Sequence, residues 1–160
     1  MKKATHTEYK SINIWLVEDN IRYRKSLAGL INGTEGLHCP HAFVSCEDAL
    51  EVLSKDISPE VILLDIGLPG ISGIQGIEKF KALSPATQIL ILTIYDDNDK
   101  VFDALCAGAS GYLLKDSSPE KIIESIKEVL AGGAPMNMKI AHKVLELFAQ
   151  FKKKKSDYGL

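Results

Sequence analysis

The sequence predicts an α/β fold in which a five-stranded parallel sheet is wound on both faces by helices, with one further helix at the C-terminal end. Three observations carry that expectation. Five short apolar runs alternate with stretches of helical periodicity, the pattern that places helices on both faces of a parallel sheet. The runs are nearly continuous rather than alternating, as in strands buried from both sides. The second run alone is broken by polar residues and a proline, His38, Pro40 and His41, which assigns it to an edge. Together these features fit the flavodoxin-like, doubly wound strand order 2-1-3-4-5.

Each element has its own justification. INIWLV (12–17) is the first strand, and NIRYRKSLAGLI follows as a helix with Ile21, Leu27, Leu30 and Ile31 on one side. LHCPHAFV (37–44) is the edge strand, and CEDALEVLSK a helix buried through Ala49, Leu50 and Leu53. VILLD (61–65) is followed by SGIQGIEKFKAL, whose repeat is Ile74, Ile77, Phe80 and Leu83. After QILILT (88–93), DNDKVFDALCAGA turns Val101, Phe102 and Leu105 inward. GYLLK (111–115) is the fifth strand. In SSPEKIIESIKEVLAGG, Ser118 caps the helix, Pro119 takes its first position and Glu120 its first turn, while Gly132 and Gly133 stop it. Finally, APMNMKIAHKVLELFAQF carries a stripe of Ala141, Val144, Leu145, Phe148 and Phe151 at spacings of three and four. Such a stripe must fold back on the domain or meet a copy of itself. KKKKSD then reads as a solvated linker that could also assist DNA binding. The expected organisation is an N-terminal extension over 1–11, a core domain over 12–133, and a linker helix with a Lys-rich tail over 134–160.

Composition narrows the function classes. The chain has 160 residues, of which 46% are hydrophobic and 25% charged, as in a soluble domain. Its apolar runs are strand-sized, too short to cross a membrane, and no apolar stretch behind MKKATHTEYK resembles a signal peptide. Three cysteines, Cys39, Cys46 and Cys106, show no C-x-x-C spacing, which argues against a disulfide framework and a zinc site. Reduced thiols point to the cytoplasm. A net charge of −2 gives no overall sign of nucleic-acid binding.

The chemistry lies where the strands end. The first strand runs into Glu18 and Asp19, the third into Asp65, the fourth into Thr93 and the fifth into Lys115. Doubly wound sheets bind ligands outside the carboxyl ends of their strands. With neighbouring strands about 4.8 Å apart, Asp19, Asp65 and Thr93 share one patch, and Lys115 lies roughly 10 Å across from Asp65. Two unit charges about 4 Å apart repel by about 4 kcal/mol at an effective dielectric near 20. Three carboxylates so placed call for a divalent cation, and all-oxygen ligation with room for water favours Mg²⁺. A metal makes an incoming phosphoryl group tolerable beside the acids, with Lys115 and Thr93 on its other oxygens. Asp65, central in the cluster, is the candidate nucleophile for an aspartyl phosphate. Singly, each residue has an ordinary explanation: Asp65, Glu18 and Asp19 as caps or loop acids, Thr93 as a strand end, Lys115 as a solvated lysine. The case rests on all of them falling at strand carboxyl ends.

The motifs VEDN, LLDIGLPGISG, ILT and GASGYLLKD resemble the receiver domain of bacterial two-component response regulators, NarL/FixJ type, over residues of about 12 to 132. The resemblance implies a signalling phosphoacceptor that catalyses only its own phosphoryl transfer and dephosphorylation. A partner histidine kinase would phosphorylate Asp65. Mg²⁺ would be held by Asp19, Asp65 and the main-chain carbonyl of Gly67, with Glu18 helping through water. Thr93 and Lys115 would contact the phosphoryl oxygens. Tyr112 takes the place of an aromatic switch that turns from exposed to buried on phosphorylation, altering the surface through which the protein dimerises. Gly67 and Tyr95, two residues past Asp65 and Thr93, stand where dephosphorylation is modulated. Asp116 replaces the proline that often follows the lysine, which leaves the geometry of that peptide bond open. In this family a linker helix leads to a helix-turn-helix DNA-binding domain, so the expectation is a receiver portion of a transcription factor whose DNA contacts lie outside these residues. A stand-alone receiver or an unphosphorylated interaction module is the alternative.

Two enzyme or ligand-binding readings are weaker. A haloacid-dehalogenase-type phosphatase needs a second acid two residues after its nucleophile, where this chain has Gly67. A flavin or nucleotide module needs a glycine- or hydroxyl-rich first loop that cradles phosphate on backbone amides. VEDN instead attracts cations, and no G-x-x-x-x-G-K-[ST] is present.

Overall fold

The computed structural model describes residues 11–55 and 57–157. Expectations for 1–10 and for the last three residues lie outside the described residues. The elements are β1 (Ile12–Val17), α1 (Ile21–Asn32), β2 (Leu37–Phe43), α2 (Cys46–Leu53), β3 (Val61–Leu64), α3 (Gly73–Leu83), β4 (Gln88–Thr93), α4 (Asn98–Ala107), β5 (Gly111–Leu114), α5 (Pro119–Leu130) and α6 (Met138–Asp157). All strand pairs are parallel, and the order is β2-β1-β3-β4-β5.

Strand side chains alternate between two cores. Ile62 and Leu64 of β3 join Trp15, Phe80 and Val101 under α2, α3 and α4. Val61 and Leu63 point the other way, to Leu27, Ile31, Ile126 and Val129 of α1 and α5. All four β3 side chains are fully buried. At about 1.5–3 kcal/mol per buried aliphatic side chain, β3 is among the largest contributors to the fold. β2 reads differently: Leu37, Cys39 and Phe43 face inward while His38 and Pro40 are exposed, as suits an edge.

Helix starts follow local chemistry. Asn20, Ser45, Ser72, Asp97 and Ser118 each accept a bond from a main-chain N–H in the first turn, a cap worth about 1 kcal/mol. Ser72 and Gln75 bond reciprocally, and Pro119 stands at the start of α5.

Several expectations are corrected. Ile21, Leu83 and Phe102 are 55%, 54% and 45% exposed; Ile21 and Leu83 are end residues of their helices, where the apolar stripe leaves the core. KKKKSD is helical and exposed: α6 continues through it to Asp157, because lysine is a good helix former and no breaker intervenes. The C-terminal stripe is only partly folded back. Ile140 is fully buried and Val144 packs on the core, whereas Leu145, Phe148 and Phe151 are exposed.

The segment before α6 extends the sheet edge. Tyr112 N donates to Pro135 O at 3.0 Å, and Tyr112 bridges Met136 in parallel. Asn137 Oδ1 accepts from Leu114 N at 2.6 Å, and its Nδ2 donates to Ser117 Oγ at 3.0 Å. Among the described residues no peptide bond is cis, so Lys115–Asp116 is trans. No described helix is long and apolar enough to cross a membrane.

Candidate functional site

The parallel register aligns the strand ends. Val17 lies beside Leu64, and Leu64 beside Ile91. The ladder then continues one residue further, as Asp65 N donates to Val17 O and Lys115 N to Thr93 O. Glu18, Asp65, Thr93 and Lys115 are thereby delivered to one end of the sheet. The loop after Asp65 is pulled close: a Cβ on Gly73 would collide with the Asp65 carbonyl, so only glycine lets α3 start there.

Asp65 is held at both carboxylate oxygens. Thr93 Oγ1 donates to Oδ1 at 2.8 Å and Gly67 N to the same oxygen at 3.1 Å. Lys115 Nζ donates to Oδ2 at 2.8 Å and also to Glu18 Oε1 at 2.6 Å. Its side chain leans back across β4, as the strand spacing required. Glu18 is 1% exposed, Asp65 6% and Thr93 fully buried, whereas Asp19 is exposed. The three carboxylates each offer an oxygen within 4.8 Å of the others.

Electrostatics separate the two buried acids. Burial raises the Glu18 carboxyl to about 7; the Lys115 hydrogen bond opposes that shift and Asp65 adds to it. Burial would also raise Asp65, but the Lys115, Gly67 and Thr93 hydrogen bonds outweigh it and hold this carboxyl below its usual value. The Lys115 ammonium would be lowered by burial, yet its bonds to Asp65 and Glu18 raise it. Glu18 Oε2 is buried and has no hydrogen-bond partner. A desolvated, unpartnered carboxylate oxygen beside two further acids is a donor set suited to a hard cation with oxygen ligands.

The pocket beside Asp65 has a volume of about 420 Å³ and is lined by Asp19, Asn20, Tyr23, Gly67, Tyr95 and Lys115 among others. Tyr95 lies over Gly67, where a Cβ would stand 2.5 Å from Tyr95 Cε2. Tyr112, the expected switch residue, is fully buried. Its hydroxyl donates to Tyr95 O at 2.6 Å, and the Pro135–Met136 segment pairs along its backbone.

Sequence reasoning missed two supporting residues. Tyr23 places its ring 4.8 Å from Lys115 Nζ, and its buried hydroxyl has no partner. Arg24 Nη1 donates to the Glu18 carbonyl at 2.8 Å. Both stand on the first turn and a half of α1, one helical repeat past the acids, and that spacing was the available signal.

Residues 14–127 match the family model of the response regulator receiver domain. The chain is 33% identical over 134 residues to the uncharacterized transcriptional regulatory protein YxjL of Bacillus subtilis, covering 84% of this chain and 61% of that protein. It is 30% identical over 135 residues to the transcriptional regulatory protein DegU of Brevibacillus brevis, covering 84% and 57%. It therefore spans about three fifths of the length of these curated relatives. A crystal structure of a LuxR-family two-component response regulator from Aurantimonas sp. SI85-9A1 superposes with a TM-score of 0.80 at 29% identity, covering 87% of this chain and 99% of that one.

Proposed function

The chain belongs to the response regulator receiver domain family, and from that premise we propose that Asp65 accepts a phosphoryl group from a sensor histidine kinase. The supporting observation is the doubly held carboxylate of Asp65, with one donor set on each oxygen and its carboxyl kept below its usual value by those bonds. In the transfer an Asp65 oxygen forms a bond to phosphorus while the phosphorus–nitrogen bond of the donor phosphohistidine breaks. The electron pair returns to the imidazole, which regains a proton. Lys115 and the Thr93 hydroxyl, now on the carboxylate, are within reach of the new phosphoryl oxygens and offset their charge.

Glu18, Asp19, Asp65 and the Gly67 carbonyl would hold Mg²⁺, and the partnerless Glu18 Oε2 is the observation that fits them to it. When bound, the ion supplies positive charge that neutralises the acids and the incoming phosphoryl group. Tyr95 screens Asp65 from water over the side-chain-free Gly67, setting the phosphoryl lifetime. Tyr112, tied to Tyr95 and to the segment before α6, transmits the change to the α4–β5 face. Residues 12–133 act as the receiver and 134–160 supply a linker helix, α6, with its Lys-rich tail, in a cytoplasmic protein that dimerises on phosphorylation and reaches DNA through a domain outside these residues.

Intact-mass measurement with acetyl phosphate and Mg²⁺ tests the assignment. The wild type gains one phosphoryl group, loses that gain when metal is withheld, and Asp65→Asn stays unmodified. Equal labelling of both proteins rejects Asp65.

A further inference from the structure

The loop that carries Gly67 is held from the side by α2. It joins β3 to α3 over residues 65–72 and turns tightly: Gly67 N donates to Asp65 Oδ1 at 3.1 Å, and Gly73 N to Ile66 O at 3.2 Å. Ile66 and Leu68 anchor it in the core, whereas Pro69 and Gly70 are exposed. At that outer end Glu47, an exposed residue in the first turn of α2, reaches a partner 24 positions away: its Oε1 accepts from Ile71 N at 2.5 Å. Beside it the Cys46 thiol donates to Ser72 O at 3.9 Å. Gly70 makes the approach possible. Its φ is +72°, and a Cβ there would stand 2.7 Å from Glu47 Oε1.

A glutamate in the first turn of a helix has an ordinary role, complementing the positive end of the helix dipole. That role needs only charge. Glu47 also uses its length, because its carboxylate leaves α2 and takes the amide of another element. The Ile71 bond holds the Glu47 carboxyl below its usual value, and a bond to a charged acceptor is about twice as strong as a neutral one. Ile71 lies between two points that touch Asp65: the Gly67 amide on its carboxylate and Gly73, whose backbone is pressed against its carbonyl. Fixing Ile71 therefore fixes the path of the chain across the site. We infer that Glu47 is a positioning residue, clamping the β3–α3 loop so that Gly67 stays against Asp65, where its carbonyl would serve the ion. The inference rests on the reading of Asp65 and the Gly67 carbonyl as Mg²⁺ ligands, and it extends the site to α2.

Three substitutions separate reach from charge. Glu47→Asp keeps the charge and shortens the arm, Glu47→Gln keeps the arm and an acceptor oxygen without the charge, and Glu47→Ala discards both. In the metal-free 160-residue chain, amide hydrogen exchange followed by NMR should quicken at Ile71 by about tenfold or more in Glu47→Ala and Glu47→Asp, and the Gly67 amide should quicken with it. The Mg²⁺ dissociation constant, from a calorimetric titration, should rise by about tenfold in the same two variants. Glu47→Gln should restore most of both. Glu47 is exposed, so each variant should keep the wild-type circular dichroism; loss of fold in any of them would make the residue a structural one and overturn the inference. A helix-dipole role requires the opposite order, with Glu47→Asp like the wild type and Glu47→Gln like Glu47→Ala, and that result also overturns it. The exchange measurement needs no metal, so the two readings fail separately. A wild type that binds no Mg²⁺ rejects the ligand set, whereas a Gly67 amide indifferent to Glu47→Ala rejects the clamp.

Discussion

At the scale of single residues, Lys115 carries the heaviest electrostatic duty, because one ammonium satisfies Glu18 and Asp65 together. Removing one partner of a buried pair leaves a charge uncompensated. Lys115→Ala should therefore still bind Mg²⁺ in a calorimetric titration, since the acids remain, but its dimerisation should no longer respond to acetyl phosphate. A wild-type response would show that Lys115 is misassigned. Tyr23 supports the lysine from below, where ring and ammonium attract by about 0.5–2 kcal/mol. Tyr23→Leu should slow labelling by acetyl phosphate by about 2–30-fold, the same energy range expressed as a rate. Tyr23→Phe keeps the ring and discards a hydroxyl that has no partner, so it should label at the wild-type rate. The five acid, hydroxyl and ammonium positions were legible because each is a polar residue closing an apolar run. Tyr23 was not, because a tyrosine in a helical stretch reads as ordinary packing.

Among the elements, α6 and the segment leading to it respond most directly to substitution. Ile140 is the one fully buried α6 side chain among the described residues, and Ile140→Ala should cost about 2–5 kcal/mol of stability in a urea titration. Asn137→Ala leaves the Leu114 N–H without its acceptor, at about 1–3 kcal/mol. A loss under half a kcal/mol in both variants, about the noise of a surface change, would mean that α6 does not dock. The strands were readable because continuous burial leaves an unbroken apolar run. The fate of α6 was half readable: its stripe announced an unmet partner, but the amount that one domain could cover depends on the length of α4, which has 10 residues against 20 in α6. No pattern in GYLLK reveals that the Tyr112 hydroxyl finds the Tyr95 carbonyl.

For the molecule as a whole, the acid cluster links metal binding to folding. Glu18 and Asp65 are buried at the price of desolvation, and a ligand that binds only the native state stabilises it by about 2.7 kcal/mol at a hundred times its dissociation constant. Saturating Mg²⁺ should raise the melting temperature by several degrees, at about 2–4 °C per kcal/mol for a domain near this size. Chelation should reverse the rise, and Asp19→Asn should abolish most of it. An unchanged melting curve would detach Mg²⁺ from the cluster. The edge position of β2 was legible from the polar second run, because a peripheral strand tolerates His38, Pro40 and His41; the rest of the order was compatible with the alternation of strands and helices but not fixed by it.

Both rims of the sheet are also shut. On one side β2 presents a proline and polar side chains; on the other, Pro135 and Asn137 occupy the outward N–H groups of Tyr112 and Leu114. An open rim is a template on which further chains add and grow into insoluble ladders. The few residues between Gly133 and α6 thus serve as a stopper, and a version of this protein trimmed at residue 133 would trade an untidy tail for a surface that seeds its own precipitation.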